Sequence, residues 1–508
     1  MYLPQPPDDR EKLLYLETNK LYYYVPAIVS GTLLFVGFIL FSIQHYSLFL
    51  FLPLVAVLFF YLFISYFIGL SPNTFDLSNH NKLVKKAREY NLNFLPFIDI
   101  YLPSCGEEIV VLKNTYDYVK KMSDSTTFSH KVYVLDDSKR LQVKGLAEEY
   151  GFSYITRENN DLKKAGNLRN AFKQTQGDFI VIFDADFCPR ADFLEETVPY
   201  FEDKKIAIVQ TPQFFSVESS QTPIERGAGY VQELFYRLIQ RNRDYHSGAI
   251  CVGSNAVYRR SALDLFGGTA AIGYSEDVHT GYNVTKTGHK VKYLPLNLAK
   301  GVCPPDIKTF FYQQYRWALG SITLSLNPDF WRSSLTLGQK MCYTSGFFYY
   351  ISTALGLIIT PLPAAIMLSF WPEKIFWFNY VFSIPSLIFT TFVYAAWSKS
   401  RFTPMFPVIR FIQYWAHLFA IIDKLRGDLV PWVTKNKSTD ARFRLFKILN
   451  LVYLTSITLV VGLGIAKNIN QVGLINFLPL ILLTSYNVAI SAAVGVLGWE
   501  KNNPKNIF

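Results

Sequence analysis

Cysteine is sparse in this chain. The five present (Cys105, Cys188, Cys251, Cys303 and Cys342) include no Cys-x-x-Cys pair. That argues against a disulfide framework and fits a reducing compartment. Histidine is also scarce: seven are scattered along 508 residues and form no metal cluster. No internal repeat and no low-complexity tract is present. The first residues are acidic and polar, and no small-residue cleavage site follows the first apolar run, so no cleavable signal peptide is expected. Charge is limited to 18% of the residues, against 50% hydrophobic and 17% aromatic. The charged residues gather in the centre, and long apolar runs occupy the two ends.

Those runs are the first positive signal. Tyr22 to Ile43 and Ser47 to Leu70 are almost free of charge, each roughly twenty residues and long enough to cross a bilayer. Tyr343 to Phe370 with Ile375 to Trp397, and Ile448 to Ala466 with Val472 to Trp499, form two further pairs. The expectation is an α-helical bundle of about six spans. The prolines inside them (Pro361, Pro363, Pro385, Pro479) are tolerated where neighbouring helices satisfy the freed carbonyls.

The segment between the second and third pairs is basic, running from Lys399 and Arg401 through Arg410, Lys424 and Arg426 to Lys447. The turns within each pair carry little charge. Basic loops stay inside, so the central domain and both termini are expected in the cytoplasm, in a multi-pass plasma-membrane protein. The net charge of +11 then reflects contact with anionic membrane lipids. The basic residues flank spans rather than cluster on one soluble face, which disfavours nucleic acid.

The resulting division is an N-terminal hairpin (1–90), a cytoplasmic domain (91–325), an interfacial region (326–342), a second hairpin (343–397), a cytoplasmic interfacial helix and loop (398–447), and a last hairpin with a short tail (448–508). In the central domain, apolar strand-like runs alternate with amphipathic helical ones, the pattern of an α/β sheet. Strands are expected at 97–102, 131–135, 152–156, 178–183, 206–209 and 249–257. Helices are expected at 107–122, 142–150, 162–174, 193–201, 224–243 and 278–286.

The turns after these strands carry the chemistry. Asp184 and Asp186 follow the β-branched run ending at Phe183. Two carboxylates at i and i+2 reach one hard cation, which would hold a substrate diphosphate at the carboxyl edge of the sheet. Asp136-Asp137 could accept hydrogen bonds from a nucleoside or serve a turn. Lys164-Ala165-Gly166-Asn167 opens a helix with a cation and free N–H groups that suit an anion. Gln210-Thr211-Pro212 suits a loop against a sugar. Glu276-Asp277 starts a helix; the dipole alone favours acids there, and one of them could take a proton from an acceptor hydroxyl. Gln313-Gln314-Tyr315-Arg316-Trp317 offers a guanidinium for phosphate oxygens and an indole for a sugar face.

The order of these motifs resembles that of the processive family 2 glycosyltransferases, and of cellulose-synthase-type membrane β-glycan synthases in particular, over roughly residues 95 to 440. The resemblance implies a GT-A fold with a mixed, mostly parallel sheet, a UDP-sugar donor and a divalent cation, Mg²⁺ or Mn²⁺. It implies that Glu107, Asp136, Asp137, Lys164, Asp184, Gln313 and Arg316 bind the donor. Asp186, with Asp184, would hold the metal, and Asp277 would be the general base. Trp317, Glu276, Gln210, Thr211, Pro212, Cys251 and Val252 would line the acceptor site. Trp432-Val433-Thr434-Lys435 resembles the family's gating loop and is similar to the matching loop of hyaluronan and chitin synthases.

The departures from the family pattern are local. Pro103-Ser104-Cys105-Gly106-Glu107 lacks the aromatic that stacks on uracil in the family. Ser275 replaces a threonine. Ile250-Cys251-Val252-Gly253 replaces Phe-Phe-Cys-Gly. The tail after Trp499 is short, so regulation through a cyclic-dinucleotide-binding barrel is not expected. The expected activity is processive, inverting polymerisation of UDP-glucose into a β-glucan that is moved across the membrane, as a capsule or exopolysaccharide. A hyaluronan- or chitin-like synthase using UDP-N-acetylglucosamine, a non-processive lipid glycosyltransferase, and an inactive transporter or scaffold are the alternatives. A homo-oligomer is left open.

Overall fold

A computed structural model describes residues 2–89, 96–398, 405–427 and 440–499. The expected gating loop at 432–435 lies outside the described residues. The first four expected strands form within a residue or two of their predicted places, as β1 (Phe97–Ser104), β2 (Ser129–Asp136), β3 (Ser153–Ile155) and β4 (Phe179–Ile182). The helices Ile109–Ser125, Leu141–Glu149 and Lys163–Gln174 connect them. β5 (Cys188–Pro189), β6 (Ile206–Gln210), β7 (Phe214–Phe215), β8 (Ala256–Arg259), β9 (Lys290–Tyr293) and β10 (Ala299–Gly301) follow.

Seven strands build one sheet in the order β3-β2-β1-β4-β8-β6-β9. β8 pairs antiparallel with both of its neighbours, and the remaining pairings are parallel. Alternation along β4 explains its burial. Phe179 and Val181 join the apolar cluster on one face, and Ile180 and Ile182 join the cluster on the other. A strand covered on both faces needs apolar residues at every position. The parallel order brings the carboxyl ends of β1, β2 and β4 to one edge, where residues 104–107, 136–137 and 184–186 lie together.

Two expectations are corrected here. The strand predicted at 249–257 pairs only over Ala256–Arg259; before it, Gly253 (φ +79°) and Asn255 (φ +54°) turn the chain out of extended geometry. A second, three-stranded sheet, β5-β10-β7, and β9 were not foreseen. Their strands are two to four residues long, too short to leave an alternation.

Among the described residues, five helices are long and apolar enough to cross a membrane: Leu21–Ser42, Leu48–Gly69, Leu337–Phe370, Ala441–Val472 and Leu474–Leu497. The third is divided into Leu337–Ile359 and Leu362–Phe370, with Pro361 capping the second part. The stretch expected as a sixth span, Ile375 to Trp397, is instead a shorter apolar helix, Ile384–Ser398. Pro385 stands in its first turn, and short 3₁₀ turns occupy Pro372–Lys374 and Trp377–Tyr380 before it. The helix Phe406–Arg426 packs along Ile307–Ser325 and Leu337–Ile359, and its Ile409, Ile412, Ala416 and Ala420 are fully buried.

The N-terminal residues strap across the central domain. Lys12 pairs with Asp192 at 2.9 Å and Glu196 at 2.7 Å. Lys300 pairs with Glu11 at 2.6 Å, and Arg190 with Asp9 at 2.8 Å.

Candidate active site

A cavity of 1710 Å³ opens at the carboxyl edge of the sheet and runs on between the apolar helices. Its polar end gathers Glu107, Asp137, Lys164, Asp184, Asp186, Glu276, Asp277, Gln313, Arg316 and Trp317. These residues come from six separate stretches of chain, and the topology alone brings them together.

Strained backbone delivers two of the motifs. Leu162 (φ +57°) and Lys163 (φ +51°) precede Lys164, and Ser275 (φ +47°) precedes Glu276-Asp277. Left-handed conformations of non-glycine residues cost about 1–3 kcal/mol each and concentrate at functional sites. Gly166 has a steric reason: a Cβ there would lie 2.0 Å from the Asp161 carbonyl oxygen. That carbonyl accepts from Arg157 Nη1, and the Lys163 carbonyl accepts from Nη2 at 2.8 Å. Arg157 Nε and Nη2 also donate to the two Asp137 oxygens, both at 2.7 Å. One guanidinium thus fixes the end of β2 to the start of the lysine helix.

Lys164 Nζ donates to Asp184 Oδ1 and to the Gly253 carbonyl at 3.0 Å, and lies 3.9 Å from Glu276. Burial alone would lower its pKa, but Asp184 and Glu276 hold it above the ordinary value. Asp186 is pushed up to about 7, first by burial and then by the carboxylates of Asp184 and Glu107. Asp277 is also pushed up to about 7, by burial and then by Glu276. Glu276 and Glu107 are raised, chiefly by burial. Burial pulls Arg316 down to about 10. The Asp277 carboxylate accepts from the Val278 N–H at 2.8 Å, an orientation set by the helix start.

A divalent cation fits this donor set. Asp184 and Asp186 are half-buried carboxylates that repel each other beside a cavity, which a dication would relieve. Among the described residues no cluster of three or more metal-ligating side chains exists. Two carboxylates completed by diphosphate oxygens and water is the pattern that suits Mg²⁺ or Mn²⁺.

Several sequence-predicted residues stand elsewhere. Asp136 is fully buried and does not line the cavity. Its oxygens accept from the N–H groups of Ser138 and Arg140, both at 2.9 Å, and from the Tyr154 hydroxyl at 3.0 Å, so it anchors a turn. Gln210, Thr211 and Pro212 are also buried behind the wall. The Gln210 amide donates to the Thr211 and Ser254 carbonyls at 2.8 Å and accepts from the Val252 N–H at 2.9 Å. These three residues shape the 251–255 turn rather than touch the cavity. Cys251 points into the core, its Sγ 3.1 Å from the Tyr258 hydroxyl, while Val252 lines the cavity.

Ser254 was missed from sequence; its hydroxyl accepts from the Asp184 N–H at 2.9 Å. The glycine before Ser254 was the one available signal. Gln213, the second amide flanking Pro212 in the loop read as suited to a sugar, lines the cavity and accepts from Tyr236 at 2.8 Å. Ser275 donates to the Arg316 carbonyl at 3.1 Å, which ties the acid pair to the Gln-x-x-Arg-Trp helix, Ile307–Ser325.

Residues 99–266 match the glycosyl transferase family 2 model. The UDP-forming cellulose synthase catalytic subunit of Pseudomonas fluorescens (strain SBW25) is 32% identical over 282 residues, covering 54% of this chain and 38% of that protein. Its counterpart in Xanthomonas axonopodis pv. citri (strain 306) is 33% identical over 264 residues, covering 50% and 36%. The match thus spans less than two thirds of either relative's length. A solved mannosyltransferase, PcManGT from Pyrobaculum calidifontis in complex with GDP-Man and Mn²⁺, superposes with a TM-score of 0.49 at 14% identity, covering 69% of this chain and 97% of that one. Residues 99–266 thus resemble a family 2 glycosyltransferase domain, and about half of the chain is similar to cellulose synthase catalytic subunits, with helices long enough to cross a membrane on either side.

Proposed function

We propose that the protein is a processive, inverting glycosyltransferase that polymerises a UDP-sugar, with UDP-glucose as the favoured donor, into a β-linked glycan and passes it through its membrane helices. The observation that carries this reading is one continuous cavity. It holds Lys164, Asp184, Asp186, Asp277, Arg316 and Trp317 at one end and extends between the apolar helices at the other. The UDP-forming cellulose synthase subunits it resembles support the choice of nucleotide.

In this reading Asp277 removes the proton from the acceptor hydroxyl. The resulting oxygen attacks the anomeric carbon as the bond to the UDP oxygen breaks. Lys164, released from Asp184 when donor enters, and Arg316 meet the charge that develops on the diphosphate. Trp317 offers its face to the acceptor sugar, and Glu107 and Asp137 border the nucleoside. A divalent cation held by Asp184 and Asp186 supplies further neutralisation of the leaving diphosphate when bound. The catalytic domain and the N-terminus face the cytoplasm at the plasma membrane, joined by the first hairpin, Leu21–Ser42 and Leu48–Gly69.

The test is UDP release by the purified protein in detergent, with UDP-glucose, UDP-N-acetylglucosamine and UDP-glucuronate supplied separately and together, followed by digestion of the product with linkage-specific glucanases. Turnover with UDP-glucose and a high-molecular-weight product are expected. Turnover only with the amino sugar would move the protein to the chitin or hyaluronan branch, and a product of one added sugar would overturn processivity.

A further inference from the structure

The far end of the cavity contains two arginines that the transfer reaction does not use. Arg243, on the helix Gln240–Tyr245, is 3% exposed. Its Nη2 donates to the Ser345 hydroxyl at 2.8 Å, while Nε and Nη1 have no partner. Arg410, on the helix Phe406–Arg426, reaches the Tyr349 hydroxyl at 3.3 Å and otherwise faces the Tyr349 and Tyr414 rings, each centroid 5.9 Å away. Both arginines line the cavity, together with Tyr24, Tyr61 and Tyr350. Tyr61 is close enough to both guanidiniums to feel each charge. Among the described residues neither arginine has a carboxylate partner: beside Arg243 stand Ser345, Cys342 and the Phe235 ring, its centroid 5.8 Å away, and beside Arg410 the Tyr349 and Tyr414 rings.

A buried guanidinium without a counter-charge is costly, by several kcal/mol in a protein interior. Arginine does not lose its proton to escape that cost. A neutral glucan would offer these groups only hydroxyls. A planar carboxylate matches the guanidinium fork in both shape and charge, and tyrosine rings beside it suit the faces of a sugar.

We propose that Arg243 and Arg410 form a subsite for a carboxylate carried by the nascent polysaccharide, whose sugars therefore include hexuronic acid. The proposal rests on the reading that the polymer leaves through this cavity. It adds a UDP-hexuronate to the donors that the catalytic end must accept.

The experiment uses the full chain in nanodiscs of zwitterionic lipid. Binding of a β-linked tetrasaccharide alternating glucose and glucuronate is compared with binding of cellotetraose. The acidic oligosaccharide should bind about tenfold tighter or more, the worth of one charge-assisted pair. Arg243→Gln should erase that preference, Arg243→Lys should keep most of it, and Arg410→Gln provides a second, independent removal of one charge. Thermal unfolding of each variant establishes that it is folded.

Equal binding of the two oligosaccharides by the wild type would overturn the proposal, as would a preference that survives in folded Arg243→Gln and Arg410→Gln. Loss of the preference when phosphatidylglycerol is added to the nanodisc would assign the arginines to a lipid headgroup instead, and would also overturn it. UDP release is measured on the same sample. Release without an acidic preference defeats the subsite alone, whereas no release with any donor defeats the transferase reading.

Discussion

Gly253 stands against Asp277 so closely that a methyl group on it would lie 2.9 Å from the Asp277 Cβ and 3.0 Å from Oδ2. Gly253 also holds φ +79°, a conformation that side chains disfavour, and its carbonyl accepts from Lys164. One residue therefore spaces the proposed base and positions the proposed phosphate-binding lysine. Gly253→Ala should lower kcat about 100-fold, the scale of an ångström-sized misplacement of a reacting group. Steady-state UDP release gives kcat, and unchanged kcat would show that the base lies elsewhere.

Asp277→Asn keeps the shape of that side chain and removes its basicity. Transfer should fall by about 10²–10⁴-fold, the range for a lost general base, with UDP binding retained in a calorimetric titration. Full activity would refute the assignment. In the wild type the Asp277 carboxyl is pushed up to about 7, so kcat should climb as pH rises through neutrality and level off above it. A rate that declines over the same range would be incompatible with Asp277 acting as a base.

Arg157 is the most economical place to disturb the donor side without touching the cavity. It holds both oxygens of the buried Asp137 and the carbonyls of Asp161 and Lys163. Arg157→Ala would strand a buried carboxylate, at a cost of about 3–5 kcal/mol, and loosen the turn that presents Lys164. A lower thermal midpoint with a raised KM for donor is expected. A lowered midpoint with an unchanged KM would limit Arg157 to a structural role.

How much of this was legible beforehand depended on the kind of signal each residue leaves. β2 and β4 were readable because apolar runs at strand length, closed by acids, have few other readings. The acids of 184–186 were readable because charged groups next to such a run mark the sheet edge, and Lys164 and Glu276-Asp277 because charges at a helix start suit an anion or the dipole. Asp136, Gln210, Thr211 and Cys251 belong to the same motifs yet sit behind the cavity wall. Residue order carries no record of which side of a turn faces inward; that is decided by Gly253, Asn255 and Ser275, whose positive φ values arise from tertiary packing. The 375–397 stretch was apolar enough for a span, but hydropathy does not register that Pro385 starts a helix late and leaves it short.

Asp186 makes the cation requirement testable without turnover. Its carboxyl is raised from 3.8 to about 7, so between those values the folded protein binds a proton that the unfolded chain has released. Stability from this group is present at low pH and is lost as pH rises through about 7. In chelator, the wild type should therefore lose more thermal stability than Asp186→Asn when both are moved from about pH 5 to about pH 8. Mg²⁺ or Mn²⁺ should restore the wild-type midpoint at the higher pH, because an ion that binds only the folded state stabilises it by mass action. It should leave Asp186→Asn nearly unmoved. Equal cation-induced shifts in the two proteins would mean that the metal is held by groups other than this pair of carboxylates.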